Sequence, residues 1–153
     1  MILSPDDFLI RSDGSYDWTP SRVSSAWTMT MERVHEALLD PRYKQLVLLI
    51  GVPASGKTSW LRAHARIDSV YVDATFTLPS SRRSFLQLAA SLNKPCQAVL
   101  LTTPFEECLR RNSLRSSDRE VPLERMILFS KQLHSAPPTL SEGFVEILIV
   151  SST

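Results

Sequence analysis

One stretch limits the folds open to this chain more than any other: Gly51-Val52-Pro53-Ala54-Ser55-Gly56-Lys57-Thr58, set between an apolar run and a helix-forming segment. It fits G-x-x-x-x-G-K-[ST], whose glycines let backbone N–H groups turn inward around an anion. Lys57 adds a point charge toward the outer phosphates, and Thr58 offers a hydroxyl to Mg²⁺. A helix that starts there turns the positive end of its dipole toward the same anion. Residues 46–50 read as a buried strand and 59–65 as helix. The strand–loop–helix context that a phosphate loop needs is thus written into the chain, and it demands an α/β fold.

The remaining segments extend that pattern. Residues 1–4 are a short strand candidate running into Pro5-Asp6-Asp7-Phe8 and a polar turn through 12–16. Thr19-Pro20 opens a helix, with Thr19 as N-cap and Pro20 in the first helical position. Val23, Ala26, Trp27, Val34, Ala37 and Leu38 share one face of it, and Asp40-Pro41 stops it. Val70-Tyr71-Val72 is a strand ending at Asp73. A helix from Pro79 carries Phe85, Leu88, Ala89 and Leu92 on one face and ends at Asn93. Residues 98–101 are a fourth apolar run. Thr103-Pro104-Phe105-Glu106 reads as a capping box opening a helix to about Arg111. After the polar stretch 112–120, Pro122 opens a helix with Leu123, Met126, Ile127 and Leu133, and 145–150 is a last strand.

Strands alternating with helices predict a parallel sheet covered on both faces, in a single domain spanning 1–153. Ligands then gather at the C-terminal strand ends, which carry Asp6-Asp7, the phosphate loop, Asp73 and Thr102-Thr103. No apolar run reaches the length of a membrane span and no basic-then-apolar leader opens the chain, so no membrane partner and a cytoplasmic location are expected. Cys96 and Cys108 read as ordinary thiols, with no metal-ligand spacing to the histidines. A net charge of +1 gives no diffuse attraction for long nucleic acid. The arginines cluster, however, at 110, 111, 115 and 119 and at the pair 82–83. Clustering of that kind suits a small phosphate-rich site.

These residues resemble the P-loop kinases of the 5′-hydroxyl polynucleotide kinase group. The likeness rests on GVPASGKTSW, the DAT triplet at 73–75 with a following arginine pair, CLRRNSLR at 108–115, the V-P pair at 121–122 and the ending EGFVEILIV. SPDDF and GSYDW, within 4–18, resemble the family's general-base segment. The order differs, because that family places the phosphate loop first and the S-x-D-D segment after it. The chain thus resembles a circular permutation of the family's three-layer fold, with a five-stranded parallel sheet of spatial order 2-3-1-4-5. Residues 1–4 would be the family's strand 2, 46–50 its strand 1 and 70–73 its strand 3.

The resemblance implies ATP, or another NTP, as phosphate donor, Mg²⁺ as cofactor, and a 5′-hydroxyl end of RNA or DNA as acceptor. Gly51, Pro53, Ala54, Ser55, Gly56, Lys57 and Thr58 would cradle the donor, with Thr58 on the metal. Asp6 matches the general base; the alternative is that Asp6 caps a turn and Asp7 is the working carboxylate. Arg115 and Arg111 match the lid arginines on the donor phosphates, and their spacing predicts one helical face. The family's acceptor arginine falls on Leu9 here, leaving Arg11 or the Arg82-Arg83 pair as substitutes. Asp73 would orient a metal-bound water, contact substrate or anchor an arginine. Two other functions fit the same residues: a kinase of a small hydroxylated metabolite, and a nucleotide-responsive module without turnover.

Overall fold

The computed structural model describes residues 1–151. Its five strands are β1 (Ile2–Leu3), β2 (Gln45–Ile50), β3 (Ser69–Asp73), β4 (Cys96–Leu101) and β5 (Glu146–Val150). They form one parallel sheet in the order β1-β3-β2-β4-β5, which seats residues 2–3 beside β3 and β3 beside β2, as expected. Five helices connect them: α1 (Pro20–Leu39), α2 (Lys57–His64), α3 (Pro79–Ser91), α4 (Phe105–Ser113) and α5 (Leu123–Ser135). The architecture is P-loop kinase-like. No helix among the described residues is long and apolar enough to cross a membrane.

Burial explains the layering. Central β2 is apolar at five consecutive positions because helices cover both of its faces. On one face Leu46, Leu48 and Ile50 pack with Val34 and Leu38 of α1 and Phe85 and Ala89 of α3. On the other, Val47 and Leu49 meet Leu61 of α2. A third cluster joins Val52 of the phosphate loop to Cys108 of α4 and Met126 of α5. That contact ties the loop to the helices carrying the arginines. In α5 the expected apolar face is only partly used: Met126 is buried and Leu133 packs against the core, but Leu123 and Ile127 are exposed because no element lies over them.

Several local expectations are met by different chemistry. Asn93 ends α3 in the left-handed conformation at φ 55°, where asparagine is tolerated. Thr19 sits at the N-cap of α1 but makes no side-chain cap bond; Asp17 Oδ1 instead accepts from the Thr19 amide at 3.1 Å. The capping box at Thr103 is not formed either. Thr103 Oγ1 donates across the molecule to the Ser55 carbonyl at 2.6 Å, clamping the phosphate loop to the end of β4.

Arg82 corrects a second expectation. It is not available to substrate, because its guanidinium is fully buried. It donates to Glu142 Oε1 at 2.8 Å, to the Phe76 carbonyl at 2.9 Å and to the Ala136 carbonyl at 3.0 Å. One cation thus ties α3 to the chain after β3, to the end of α5 and to the 3₁₀ turn at Leu140–Glu142. Replacing Arg82 with alanine would strip Glu142 of its cation, leaving it only the Thr139 contacts, and would orphan two carbonyls, so urea unfolding is expected to show a loss of about 3 kcal/mol. Arg83, its neighbour, borders a small separate cleft with Pro79, Leu86 and Glu142, away from the phosphate loop. It too is withdrawn from the site.

Candidate active site

The phosphate loop takes its shape from two left-handed residues, Ala54 at φ 64° and Gly56 at φ 100°. For alanine that backbone is strained, and strain of this kind collects where a loop is built to hold something. Gly51 is needed for a different reason: a Cβ there would lie 2.6 Å from Ser55 Oγ and 3.2 Å from Leu101 Cβ. α2 starts at Lys57 directly behind Gly56, so its free N–H groups face the loop. Lys57 Nζ donates to the carbonyls of Gly51 at 2.9 Å and Val52 at 3.0 Å, folded over the cradle. Burial pulls its amine down to about 8, against opposing pulls led by Asp73. Ser55 Oγ is the one buried side-chain polar atom among the described residues with no partner. An orphaned hydroxyl, inward N–H groups and a desolvated ammonium are a donor set matched to polyphosphate.

Asp6 reaches this loop from the far edge of the sheet. β1 pairs with β3 in the register Leu3↔Val72, so the chain leaving Leu3 emerges beside Asp73. It turns at once into a 3₁₀ turn over Pro5–Phe8, capped by Ser4, whose hydroxyl accepts from the Asp6 amide. Asp7 completes that capping box by accepting from the Ser4 amide at 3.2 Å. The two aspartates therefore differ: Asp7 stabilises the turn, while the Asp6 carboxylate is the more buried. Desolvation, then the like charge of Asp73, raises the Asp6 pKa, and Arg119 and Lys57 pull it the other way. Asp6 lines the same cavity as Lys57, Asp73 and Arg119.

Thr58 and Asp73 form the third part. Thr58 Oγ1 donates to Asp73 Oδ2 at 2.8 Å, so Asp73 anchors the loop threonine, not an arginine. A hydroxyl and a carboxylate side by side at the phosphate end of two strands are hard oxygen donors suited to Mg²⁺, which normally keeps several waters besides.

The arginine-rich segment closes the other side. α4 runs two residues further than expected, to Ser113, and ends there. Arg115 therefore lies in the following loop and does not share a helical face with Arg111, although both line the same cavity. Arg111 Nε donates to Glu107 Oε1 at 2.9 Å, and Arg110 also holds Glu107. Asn112, buried, pins the loop: its amide donates to the Val121 carbonyl at 2.8 Å and its carbonyl accepts from the Val121 amide at 3.0 Å. Burial lowers the Arg115 pKa, as does neighbouring Arg119, while Asp6 and Asp73 raise it. Arg11, in contrast, points elsewhere: it pairs with Asp17 at 3.7 Å and does not line this cavity.

The cavity so enclosed is about 1780 Å³ and runs from the phosphate loop past Asp6 to Tyr16, Trp18, Arg119 and Phe129. Ligand pockets commonly span about 300–1,000 Å³, so this one has room for more than a nucleotide. The sequence placed Thr103 at a ligand-bearing strand end but as a helix cap, and gave Asn112, Tyr16 and Trp18 no role, because each acts on a partner elsewhere in the chain or on backbone. Among the described residues no cluster of His, Cys, Asp and Glu forms a metal site of its own.

Residues 65–133 match the family model described as AAA domain. The matched segment takes in β3, α3, β4, α4 and most of α5, less than half of the chain, and begins just beyond the phosphate loop. That similarity agrees with the P-loop kinase-like fold and with nucleotide binding.

Proposed function

We propose that the protein transfers the γ-phosphoryl group of ATP to a 5′-hydroxyl end of RNA or DNA, on a circularly permuted P-loop kinase scaffold. The observation that carries this reading is the meeting of Asp6 and the phosphate loop in one cavity, although one comes from the edge strand and the other from the centre of the sheet. The acceptor oxygen attacks the γ-phosphorus, its proton passes to the Asp6 carboxylate, and the bond to the β,γ-bridging oxygen breaks to release ADP. Lys57 and the amides of 54–58 hold the donor phosphates. Arg115 and Arg111 neutralise charge from the lid side. Thr58 and Asp73 would hold Mg²⁺, which would supply neutralisation of phosphate charge.

Support for the permuted order comes from the segment that resembles the family's general-base region: it precedes the loop in sequence yet occupies the sheet edge beyond β3. The test is incubation with γ-labelled ATP, Mg²⁺ and 5′-hydroxyl oligonucleotides, with small hydroxylated metabolites in parallel. Label on the oligonucleotide supports the reading. Label on metabolites alone, or binding without transfer, refutes it. In the active enzyme, Asp73→Asn is expected to raise the Mg²⁺ concentration for half-maximal rate by about 10–100-fold, because it removes the carboxylate charge beside Thr58 while keeping an acceptor for its hydroxyl.

A further inference from the structure

We infer that Arg119 is the contact for the acceptor's first phosphodiester, held in place by Tyr16; this rests on the 5′-hydroxyl kinase reading. An acceptor of that class carries an anionic phosphate one sugar away from the attacking hydroxyl, so a cation is needed beside Asp6 on the side away from the donor. Three other arginines are committed. Arg11 pairs with Asp17 outside the cavity, Arg82 is buried on Glu142, and Arg111 is held by Glu107. Leu9 itself, 2% exposed, borders the cavity with an apolar side chain and offers no charge to a phosphate.

Arg119 meets the requirement. It lines the cavity, and among the described residues no carboxylate lies within ion-pair distance of it. Its guanidinium sits 5.2 Å from the centroid of the Tyr16 ring. A cation over an aromatic face is positioned but keeps its N–H groups for an oxyanion. Tyr16 is stacked on Trp18 at 5.8 Å, and Trp18 Nε1 donates to the Asp118 carbonyl at 2.6 Å, one residue before Arg119. The loop that follows Asp6 therefore holds the backbone just before the arginine as well as its side chain. Arg125 also faces this cavity, over Phe129, but Asp6 feels the charges of Arg119 and Arg115, and Arg115 is the one placed on the donor phosphates.

The experiment compares steady-state kinetics of the full chain on two acceptors, a nucleoside 3′-monophosphate and the same nucleoside without phosphate. Arg119→Ala is expected to raise KM for the phosphorylated acceptor by about 10–100-fold, the worth of a charge-assisted contact, with KM for ATP and the rate on the bare nucleoside little changed. Arg119→Lys recovers part of the loss. Tyr16→Leu follows Arg119→Ala, whereas Tyr16→Phe, which keeps the ring, stays near wild type. An increase in KM for ATP, or equal losses on both acceptors, would assign Arg119 to the donor and overturn the inference. If the wild-type protein labels neither acceptor nor any 5′-hydroxyl oligonucleotide, the kinase reading itself fails. That outcome is distinct from an active enzyme indifferent to Arg119.

Discussion

Changing Asp6 to asparagine is expected to lower kcat by about 10²–10⁴, the usual worth of a positioned general base, while leaving ATP affinity close to wild type. The side chain keeps its size and its place in the capped turn, so only proton acceptance is lost. Asp7→Asn should stay within about tenfold, because Asp7 contributes a turn hydrogen bond to the Ser4 amide. Two pH signatures accompany the effect. A general base would have to be ionised and the Asp6 pKa is raised, so the acid limb of kcat/KM is expected above the ordinary carboxylate range in wild type and is expected to disappear in the variant. The stability signature has the opposite sign to that of a salt-bridged aspartate. With its folded pKa above the unfolded value, Asp6 lowers stability once pH rises through the folded pKa and costs nothing below the unfolded one. At neutral pH the asparagine variant should therefore unfold at an equal or higher urea concentration. A destabilised, inactive variant would mean that Asp6 is a structural residue.

What the sequence made legible was local. The phosphate loop and its flanking strand and helix are contiguous, and each strand carries its own apolar run, so the α/β alternation follows from short-range pattern alone. The same reading assigned Arg82 to substrate, since a surface pair and a buried cation look alike until Glu142, 60 residues away, is brought to it. Thr103 fits a capping box in sequence, but its hydroxyl spans 48 positions to Ser55. The link from Trp18 to the Asp118 carbonyl crosses 100 positions and ends on backbone, which has no residue type to read. The placement of Asp6 was accessible only through strand order: once residues 2–3 lie beside β3, the end of that strand must emerge next to Asp73. Chemistry carried by a single segment can be read along the chain, whereas chemistry assembled by the sheet requires its topology.

Lys57→Met is the second large effect, and it separates function from stability. Removing the ammonium from the donor phosphates is expected to lower kcat/KM by on the order of 10³ or more, since a positioned charge in a dry site acts on both ground and transition states. The apo protein should not suffer. A lysine whose pKa falls from 10.5 to about 8 on folding is a cation held against its desolvation. The difference of about 2.5 units corresponds to roughly 3 kcal/mol of cost wherever both folded and unfolded forms are charged, that is, below about pH 8. Part of any gain from methionine is offset, because the carbonyls of Gly51 and Val52 lose their donor. Without nucleotide at pH 7 the variant should thus be at least as stable as wild type. Its advantage should shrink between about pH 8 and 10.5, where the folded wild type sheds a proton that the unfolded chain retains. Polyphosphate would bring negative charge against the Lys57 ammonium, so ATP binding should draw a proton onto Lys57 above about pH 8 and weaken as pH rises further. Titration calorimetry in buffers of different ionisation enthalpy reads that proton directly. Binding that releases no heat difference between such buffers at pH 9 would remove Lys57 from the phosphate site.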